Sequence, residues 1–254
     1  SAAVSLGVQN LNKPVVFTGS MWPIEDSNTD AIDNFTDSMK VACSDQIREV
    51  CVCFDHKIIN GTHLRKITNE ATKITTEQLK GYSSINLHLV GTLELGEING
   101  NDIYFEGIGE SAVEELVIFP RFDQDSVGIV KLFPGGTSDI LDFYSDKKAI
   151  IIEAFGPGNI PFDYSHWLEK IKELTESRTA VFVNTQCPFG EVDMKKYEVG
   201  QNAMKAGAIP CYDMITETAL VKLMWIMGNY PDYDATQIKE LFLTNLCREI
   251  NRVS

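Results

Sequence analysis

The residue that is the clearest candidate for a chemical role is Lys66. It lies in the segment "NGTHLRKITNEAT", which follows the apolar run "EVCVCFDHKII". A lysine in a loop after a strand is usually solvated and has no chemical role. A lysine held in a cleft can act as a base if burial or a neighbouring charge lowers its proton affinity. Lys66 is therefore a candidate catalytic residue, and the rest of the chain decides between these two interpretations.

Other polar residues also follow apolar runs. In an open parallel sheet, ligands bind beyond the carboxyl ends of the strands, so these loops are candidate sites. Glycines there let the backbone approach a ligand, and an asparagine side chain can bond an amide or a carboxylate. The candidates are Thr18, Gly19 and Ser20; Thr62, Arg65 and Lys66; Gly156, Gly158 and Asn159; and Thr185, Gln186 and Glu191.

Several familiar site types have no match in the chain. "GPGNIP" lacks the third glycine of GxGxxG, and no Walker A, HExxH or GxSxG string occurs. The six cysteines, at positions 43, 51, 53, 187, 211 and 247, lack zinc-type spacing, and the four histidines are scattered. We expect no metal and no cofactor. We interpret the cysteines as buried free thiols, which fits a reducing cytoplasm.

The composition is that of a soluble globular protein, with 254 residues, 44% apolar and 23% charged. The sequence contains no run of about 18 apolar residues, so we expect no membrane span. The N-terminal residues lack the charged and apolar regions of a signal peptide. The formal net charge of −14 argues against direct nucleic-acid binding, because phosphate contacts need clustered Lys and Arg.

Strand-like and helix-like runs alternate along the chain, which is typical of an α/β fold. "KPVVFTGS" and "EVCVCFDHKII" are predicted strands. Between them, "NTDAIDNFTDSMKVACS" is a predicted helix with Asn28 or Thr29 as N-cap and a stripe of Ala31, Phe35, Met39 and Ala42. A strand, a helix and a strand in this order predict a parallel βαβ unit. Farther on, "NGND" between two alternating runs predicts a hairpin.

A second α/β block begins at "SVGIVKLFPGG" and continues through the strands "KAIIIEAF" and "TAVFVNTQC". Its predicted helices include "FDYSHWLEKIKELTES", "MKKYEVGQNAMKAG" ended by Gly207, "TETALVKLMWIMGN" and "ATQIKELFLTNLCREIN". We predict two lobes with mainly parallel sheets flanked by helices. They are a partial N-terminal α/β domain, residues 1–108, and a C-terminal α/β domain, residues 127–254, joined by a linker, residues 109–126.

Five segments in the right order resemble the bacterial-type L-asparaginase family, and the resemblance spans nearly the whole chain. They are "KPVVFTGSMWPI", "SNTDAIDNF", "GTHLRKITN", "AFGPGNIP" and "VNTQCPFGEVDMKKYEVGQNAMKAGAIPCYDMITETALVKLMW". The last segment is similar to cytoplasmic, type I members and to asparaginase-like amidotransferase subunits. The resemblance therefore implies an asparaginase-like fold.

The resemblance also implies hydrolysis of the side-chain amide of L-asparagine to L-aspartate and ammonia, through a threonine acyl-enzyme. Lys66 matches the lysine that belongs to the family's proton relay. Ser20 matches a turn beside the substrate, and Asn159 and Glu191 match positions that contact substrate in a neighbouring subunit's site. A cytoplasmic homodimer or homotetramer is implied. L-glutamine remains open as an alternative substrate.

One departure from the family is large. Members carry the nucleophilic threonine in "TGGTI" and the relay threonine and aspartate in "HGTDT", and neither string is present. "SAAVSLGVQNLNKP" resembles the helix that follows "HGTDT" in the family. We therefore expect an incomplete first lobe with exposed apolar surface, and we expect this chain alone to hydrolyse no asparagine.

Two alternatives stay open. "GNYPDYDATQIKELFLTNLCREIN" and "AIPCYDMITETALVKLMW" favour the asparaginase-like subunit of an archaeal-type glutamyl-tRNA(Gln) amidotransferase, which frees ammonia for a partner subunit. The other alternative is a non-catalytic, asparagine-binding regulatory fragment, since type I members can bind asparagine at a second, effector site.

Overall fold

The computed structural model describes residues 1–66, 89–91, 93–106, 115–161 and 166–250. The chain divides into two compact units, unit 1 (Ser1–Ile118) and unit 2 (Phe119–Ser254). The boundary falls inside the segment that the sequence predicts as the linker. Among the described residues, no helix has the length and apolar character that crossing a membrane requires.

Unit 1 contains two helices and a set of short strands. The helices are α1 (Ala2–Gly7) and α2 (Ala31–Ala42). The strands are β1 (Val8–Gln9), β2 (Val15–Phe17), β3 (Val50–Phe54), β4 (Lys57–Asn60), β5 (Leu64–Lys66), β6 (Leu89–Gly91), β7 (Glu94–Asn99), β8 (Asp102–Phe105) and β9 (Val117–Ile118).

The main sheet of unit 1 has the order β2-β3-β4-β7-β8. Strands β2 and β3 are parallel and are joined through α2, which confirms the predicted βαβ unit. The remaining pairs are antiparallel, so this sheet is mixed. Strands β7 and β8 form the hairpin that "NGND" predicts. Two smaller antiparallel ladders pair β1 with β9 and β5 with β6.

The run "EVCVCFDHKII" is a hairpin, and its prediction as one strand was wrong. Strand β3 ends at Phe54, and β4 returns antiparallel from Lys57. Asp55 and His56 form the turn with φ of 46° and 64°. Two left-handed central residues match the right-handed twist of the flanking strands. The polar Asp-His pair inside an otherwise apolar run was the signal for this turn.

The orientation of α2 also differs from the predicted one. Phe35 and Met39 of the predicted apolar stripe are exposed, whereas Asn34, Asp37 and Ser38 are buried. The buried polar groups have partners, because Ser38 Oγ donates to the Asn34 carbonyl and Asp37 receives Lys40 and His56. Burial of hydrogen-bonded polar groups costs little, so the apolar stripe does not have to face the sheet.

The start of α2 lies one or two residues later than predicted. The N-cap is Asp30, and neither Asn28 nor Thr29 takes that position. Thr29 Oγ1 still accepts a hydrogen bond from the Ala31 N–H, at 3.1 Å. The residue just before the cap therefore satisfies one of the free donors of the first turn.

The core of unit 1 is a cluster of buried side chains behind β3 and β4. Cys51 and Cys53 point into it from the same face and are fully buried, as the sequence predicts. Burial raises the pKa of the Cys51 thiol to about 12 and that of Cys53 to about 11. Cys43 and Cys187 are exposed, so the prediction of buried thiols was wrong at these two positions, which lie on a helix end and in a loop.

Unit 2 alternates strands and helices. The strands are β10 (Val127–Lys131), β11 (Ala149–Ala154), β12 (Ala180–Thr185) and β13 (Ile209–Pro210). The helices are a 3-10 helix (Ser138–Tyr144), α3 (Trp167–Glu176), α4 (Glu198–Lys205), α5 (Thr216–Asn229) and α6 (Ala235–Leu243).

The unit 2 sheet has the order β10-β11-β12-β13, and each of its pairs is parallel. Strands β11 and β12 are almost wholly apolar and buried, as expected for a sheet covered on both faces. Gly207, with φ of 102°, follows α4 as predicted. The α/β fold class is therefore confirmed.

Candidate functional site

A cavity of about 300 Å³ opens at the carboxyl ends of β2 and β3 in unit 1. The predicted residue Ser20 lines it, together with Thr18 and Gly19. The lining residues are Ser1, Phe17, Thr18, Gly19, Ser20, Met21, Val52, Phe54 and Leu64. Apolar strand residues form the floor, and the turn after β2 forms a wall of backbone and small side chains.

Asp30 holds this turn from the start of α2. Its Oδ1 accepts hydrogen bonds from the Met21 N–H at 2.9 Å and the Trp22 N–H at 3.1 Å. Its Oδ2 accepts from the Met21 N–H at 3.1 Å. Thr29 Oγ1 donates to the Trp22 carbonyl at 3.0 Å. Hydrogen bonds with an ionised partner are the stronger kind, so the carboxylate fixes the turn firmly.

Asn34, one turn farther along α2, connects three parts of unit 1. Its Nδ2 donates to the Gly19 carbonyl at 2.9 Å and to Asp30 Oδ2 at 2.8 Å. Its Oδ1 accepts from the Asp55 N–H at the β3–β4 turn, at 2.8 Å. The side chain is buried, and both its amide hydrogens and its oxygen are used. Sequence reasoning missed Asn34, because apolar periodicity gives no signal for a buried, hydrogen-bonded asparagine.

Lys66 is the last residue of strand β5, where it pairs with Leu89 of β6. The prediction that Lys66 lies in a loop was wrong, because Leu64–Lys66 pairs with β6 and forms strand β5. The structure describes the backbone of Lys66, and its side chain lies outside the described atoms. Leu64, two residues earlier on the same strand, lines the unit 1 cavity.

The neighbouring Thr62 is buried and belongs to the framework of unit 1. Its N–H and its hydroxyl both donate to Asn60 Oδ1, at 2.8 and 2.5 Å. Asn60 Nδ2 in turn donates to Glu49 Oε2 at 2.5 Å. These bonds hold the chain between β4 and β5, and so they set the path on which Lys66 lies.

In unit 2, Asn159 ends a tight loop beyond β11. The Phe155 N–H donates to the Asn159 carbonyl at 3.1 Å, and the Asn159 N–H donates to the Phe155 carbonyl at 2.8 Å. Gly156 and Gly158 between them have φ of 50° and 106°, a region in which glycine has no steric cost. The Asn159 side chain is half-buried.

Thr185 and Gln186 serve the framework beneath this loop. Thr185 Oγ1 donates to the Gly156 carbonyl at 2.6 Å and accepts from the Cys187 N–H at 3.0 Å. Gln186 Nε2 donates to the carbonyls of Leu132 and Glu153, at 2.7 and 2.9 Å. These two candidates therefore hold strand ends and loops in place.

Glu191 is exposed at the rim of a second cavity, of about 200 Å³, in unit 2. The cavity is lined by Glu191, Val192, Asp193, Met194, Lys195, Met204, Pro210 and Tyr212. A Cβ atom on Gly158 would lie 3.0 Å from Val192 Cγ1 and 3.1 Å from Met194 Cγ. Unit 2 thus brings the Asn159 loop and the Glu191 segment side by side.

Comparisons with known proteins cover both units. Residues 1–104 match the family described as "Asparaginase, N-terminal", and residues 126–242 match "Glutaminase/Asparaginase C-terminal domain". A subunit of the glutamyl-tRNA(Gln) amidotransferase of Pyrococcus abyssi is 32% identical over an alignment of 253 residues that covers 98% of this chain and 56% of that protein. An L-asparaginase of Thermococcus kodakarensis is 31% identical over 251 residues, 98% of this chain and 71% of that protein.

A solved structure is also similar. The thermostable L-asparaginase from Thermococcus kodakarensis superimposes with a TM-score of 0.86 at 28% identity, over 99% of this chain and 72% of that chain. The chain spans about 56% of the length of the amidotransferase subunit that it matches. The fold, the two family matches and the 31% identical L-asparaginase lead to the same conclusion: the chain belongs to the asparaginase family.

Proposed function

We propose that this chain contributes to an amide-hydrolysing site that converts L-asparagine to L-aspartate and ammonia. Lys66 acts in the proton relay, and Ser20 lies beside the bound substrate. The observation that carries the proposal is the unit 1 cavity. Its wall includes Ser20, and its lining includes Leu64, two residues before Lys66 on strand β5. Family membership supports the reaction class.

The nucleophile in this proposal is a threonine of the kind that the family carries in "TGGTI". The printed sequence contains neither this string nor "HGTDT". The relay lysine needs such a threonine hydroxyl as its chemical partner.

The activity test uses the native protein, isolated at its own length, with L-asparagine and L-glutamine as substrates. Loss of a general acid–base residue typically lowers the rate about 100-fold or more, and we expect this for Lys66→Ala. Lys13→Ala is the matched control, because Lys13 is an exposed lysine of unit 1. Equal ammonia release by the native protein and the Lys66→Ala variant would remove Lys66 from the mechanism.

Asn159 and Glu191 are proposed to contact the substrate's charged groups in an assembly of two or four copies. The packing of Gly158, next to Asn159, against Val192 and Met194, close to Glu191 in sequence, supports a joint role. Asn159→Ala and Glu191→Gln should then raise KM more than they lower kcat. Size-exclusion chromatography with light scattering tests the assembly, and a monomer with full activity would contradict it.

A second candidate function is the asparaginase-like subunit of a glutamyl-tRNA(Gln) amidotransferase. Similarity to the amidotransferase subunit of Pyrococcus abyssi over 98% of this chain favours it. In this case the native protein would copurify with a partner subunit, and ammonia would reach tRNA-bound glutamate. Affinity purification from the source cells, followed by mass spectrometry, tests this. Full asparaginase turnover without any copurified partner would favour the first function.

A third hypothesis is a regulatory module that binds asparagine without hydrolysing it. Calorimetry of L-asparagine with the Lys66→Ala chain distinguishes it. Unchanged affinity in the variant would indicate binding at a site away from Lys66. Lost or weakened affinity would support the catalytic site.

A further inference from the structure

The turn that walls the unit 1 cavity is held by side chains of one helix. Within the described residues, Asp30 and Asn34 of the α2 N-terminal turn make five hydrogen bonds to Gly19, Met21 and Trp22 or to each other. Neither side chain lines the cavity. Both therefore act on the cavity through the backbone of the turn.

We propose that Asp30 and Asn34 are positioning residues for the substrate cavity, which they shape by fixing the turn Gly19–Trp22. This inference rests on the proposed function only for its catalytic consequence. Positions held within about half an ångström are what catalysis by orientation requires. A turn released from α2 would leave Ser20 and Met21 free to move away from the substrate.

Asn34 adds a link that Asp30 lacks. Its Oδ1 accepts from the Asp55 N–H, so the cavity turn and the β3–β4 turn share one buried amide. Replacing this amide by a carboxylate would set a negative charge against both the Gly19 carbonyl and Asp30. Asn34→Asp should thus disturb the turn more than Asp30→Asn does, because like charges and unpaired acceptors repel at these distances.

The fluorescence of Trp22 reports on the conformation of the turn. The chain has three tryptophans; Trp22 is 38% exposed, whereas Trp167 and Trp225 in unit 2 are each 1% exposed. Acrylamide in water therefore quenches mainly Trp22. If Asp30 and Asn34 fix the turn, then Asp30→Asn and Thr29→Val should increase quenching, the first more strongly. Thr29→Val removes the hydroxyl that donates to the Trp22 carbonyl.

Asp33→Asn is the matched control, since Asp33 is an exposed aspartate in the first turn of α2 and carries the same charge. Its quenching and its kinetics should equal those of the unmodified protein. Circular dichroism of each variant verifies that the helices are retained. Asp30 is only half-buried whereas Asn34 is buried, so Asp30→Asn is less prone to unfold than Asn34→Asp.

The catalytic readout is the split between KM and kcat in the native protein. Loss of hydrogen bonds to a charged group should raise KM about tenfold in Asp30→Asn, with kcat lowered less. Raised quenching together with raised KM supports the proposal. Unchanged quenching overturns it, whatever the kinetics show. Raised quenching with an unchanged KM overturns the link between the turn and the substrate.

Failure of the proposed function has a different signature. If the native protein releases no ammonia from either amide, hydrolysis is excluded, while the quenching experiment still decides whether Asp30 and Asn34 hold the turn.

Discussion

Units 1 and 2 use buried polar groups for different purposes. In unit 1, Asn34 and its partner Asp30 lie behind the cavity turn, and their hydrogen bonds go to the turn itself. In unit 2, the loop before Asn159 is held by its own backbone hydrogen bonds and by the Thr185 hydroxyl, and a charged pair, Lys222 and Glu249, is fully buried in another part of the unit. Polar burial in unit 1 thus shapes a site, whereas in unit 2 it secures the fold.

The buried pair joins α5 to the chain after α6. Lys222 Nζ donates to Glu249 and, at 2.6 Å, to the Thr244 carbonyl. Glu249 also accepts from the N–H groups of Leu246 and Cys247, at distances of 2.7 to 3.1 Å. Through these contacts the pair holds the segment between residues 244 and 249 against α5.

The largest effect should come from Glu249→Ala. Removing one partner of a buried pair leaves an uncompensated charge, and this costs roughly 3–5 kcal/mol of unfolding free energy. Urea unfolding followed by Trp167 and Trp225 fluorescence measures it. Glu240→Ala, at an exposed glutamate of α6, should change the unfolding free energy by less than about 0.5 kcal/mol. Equal effects of the two variants would show that the pair does not secure unit 2.

A smaller effect should follow from Gly158→Ala, which tests whether the unit 2 loop depends on its backbone. Its φ of 106° and the contacts of 3.0 and 3.1 Å that a Cβ would make predict a loss of about 1–3 kcal/mol. The same fluorescence measurement applies.

Gly156→Ala is the matched control for this loop. At Gly156 a Cβ would have its nearest neighbour at 3.8 Å, so only the left-handed conformation costs energy, about 1 kcal/mol. A larger loss for Gly156→Ala than for Gly158→Ala would contradict the role of close packing against the Glu191 segment.

The pH dependence of unit 2 should also reflect the buried pair. Burial alone would raise the pKa of Glu249, but the charge and hydrogen bonds of Lys222 outweigh burial and hold the pKa below its ordinary value of 4.5. As the pH falls, the Glu249 carboxylate is therefore protonated at a higher pH in the unfolded chain than in the folded protein. The stabilisation is fully present above pH 4.5 and is lost as the pH falls through the lower, folded-state pKa.

Urea unfolding between about pH 7 and 3 measures this loss. In Glu249→Gln the slope of unfolding free energy against pH should be smaller below about pH 4.5, by at most about 1.4 kcal/mol per pH unit. An identical slope in the variant would assign the acid sensitivity to other carboxylates.

The smallest effect should come from Lys40→Met in unit 1. Lys40 pairs with Asp37 at 2.9 Å and donates to the Gly100 carbonyl at 2.7 Å, but its side chain is 28% exposed. Such partly exposed pairs contribute about 0–1 kcal/mol. Urea unfolding followed by circular dichroism measures it, and a loss comparable to that of Glu249→Ala would contradict the contrast between the two units.

The sequence predicted unit 2 better than unit 1 for a physical reason. Buried parallel strands such as β11 and β12 are continuous apolar runs, and amphipathic helices connect them, so pattern and fold agree. In unit 1 the pattern misleads. Asn34, Asp37 and Ser38 face inward because hydrogen-bond partners satisfy them there, and apolar periodicity carries no information about such partners. The Asp55–His56 turn was missed although its two polar residues interrupt the apolar run.

The candidate site was predictable in part. Ser20 was predicted because it follows a strand, and it lines the unit 1 cavity. Asn159 and Glu191 were predicted through resemblance and remain predictions, and their segments lie side by side in unit 2. Asp30 and Asn34 were missed because they act through the backbone of a turn that precedes them in sequence. Only the three-dimensional structure joins a helix start to a turn eight to fifteen residues away.

The measurement that tests the central claim most directly follows the nitrogen of the substrate. The native protein is given L-asparagine labelled with nitrogen-15 in the side-chain amide or, separately, in the α-amino group, and the released ammonia is analysed by mass spectrometry. If amide hydrolysis depends on Lys66, the released ammonia should carry nitrogen-15 only from substrate labelled in the side-chain amide. Ammonia release should be greatly reduced in Lys66→Ala and unchanged in Lys13→Ala. Label from the α-amino group, or no ammonia at all, would contradict it.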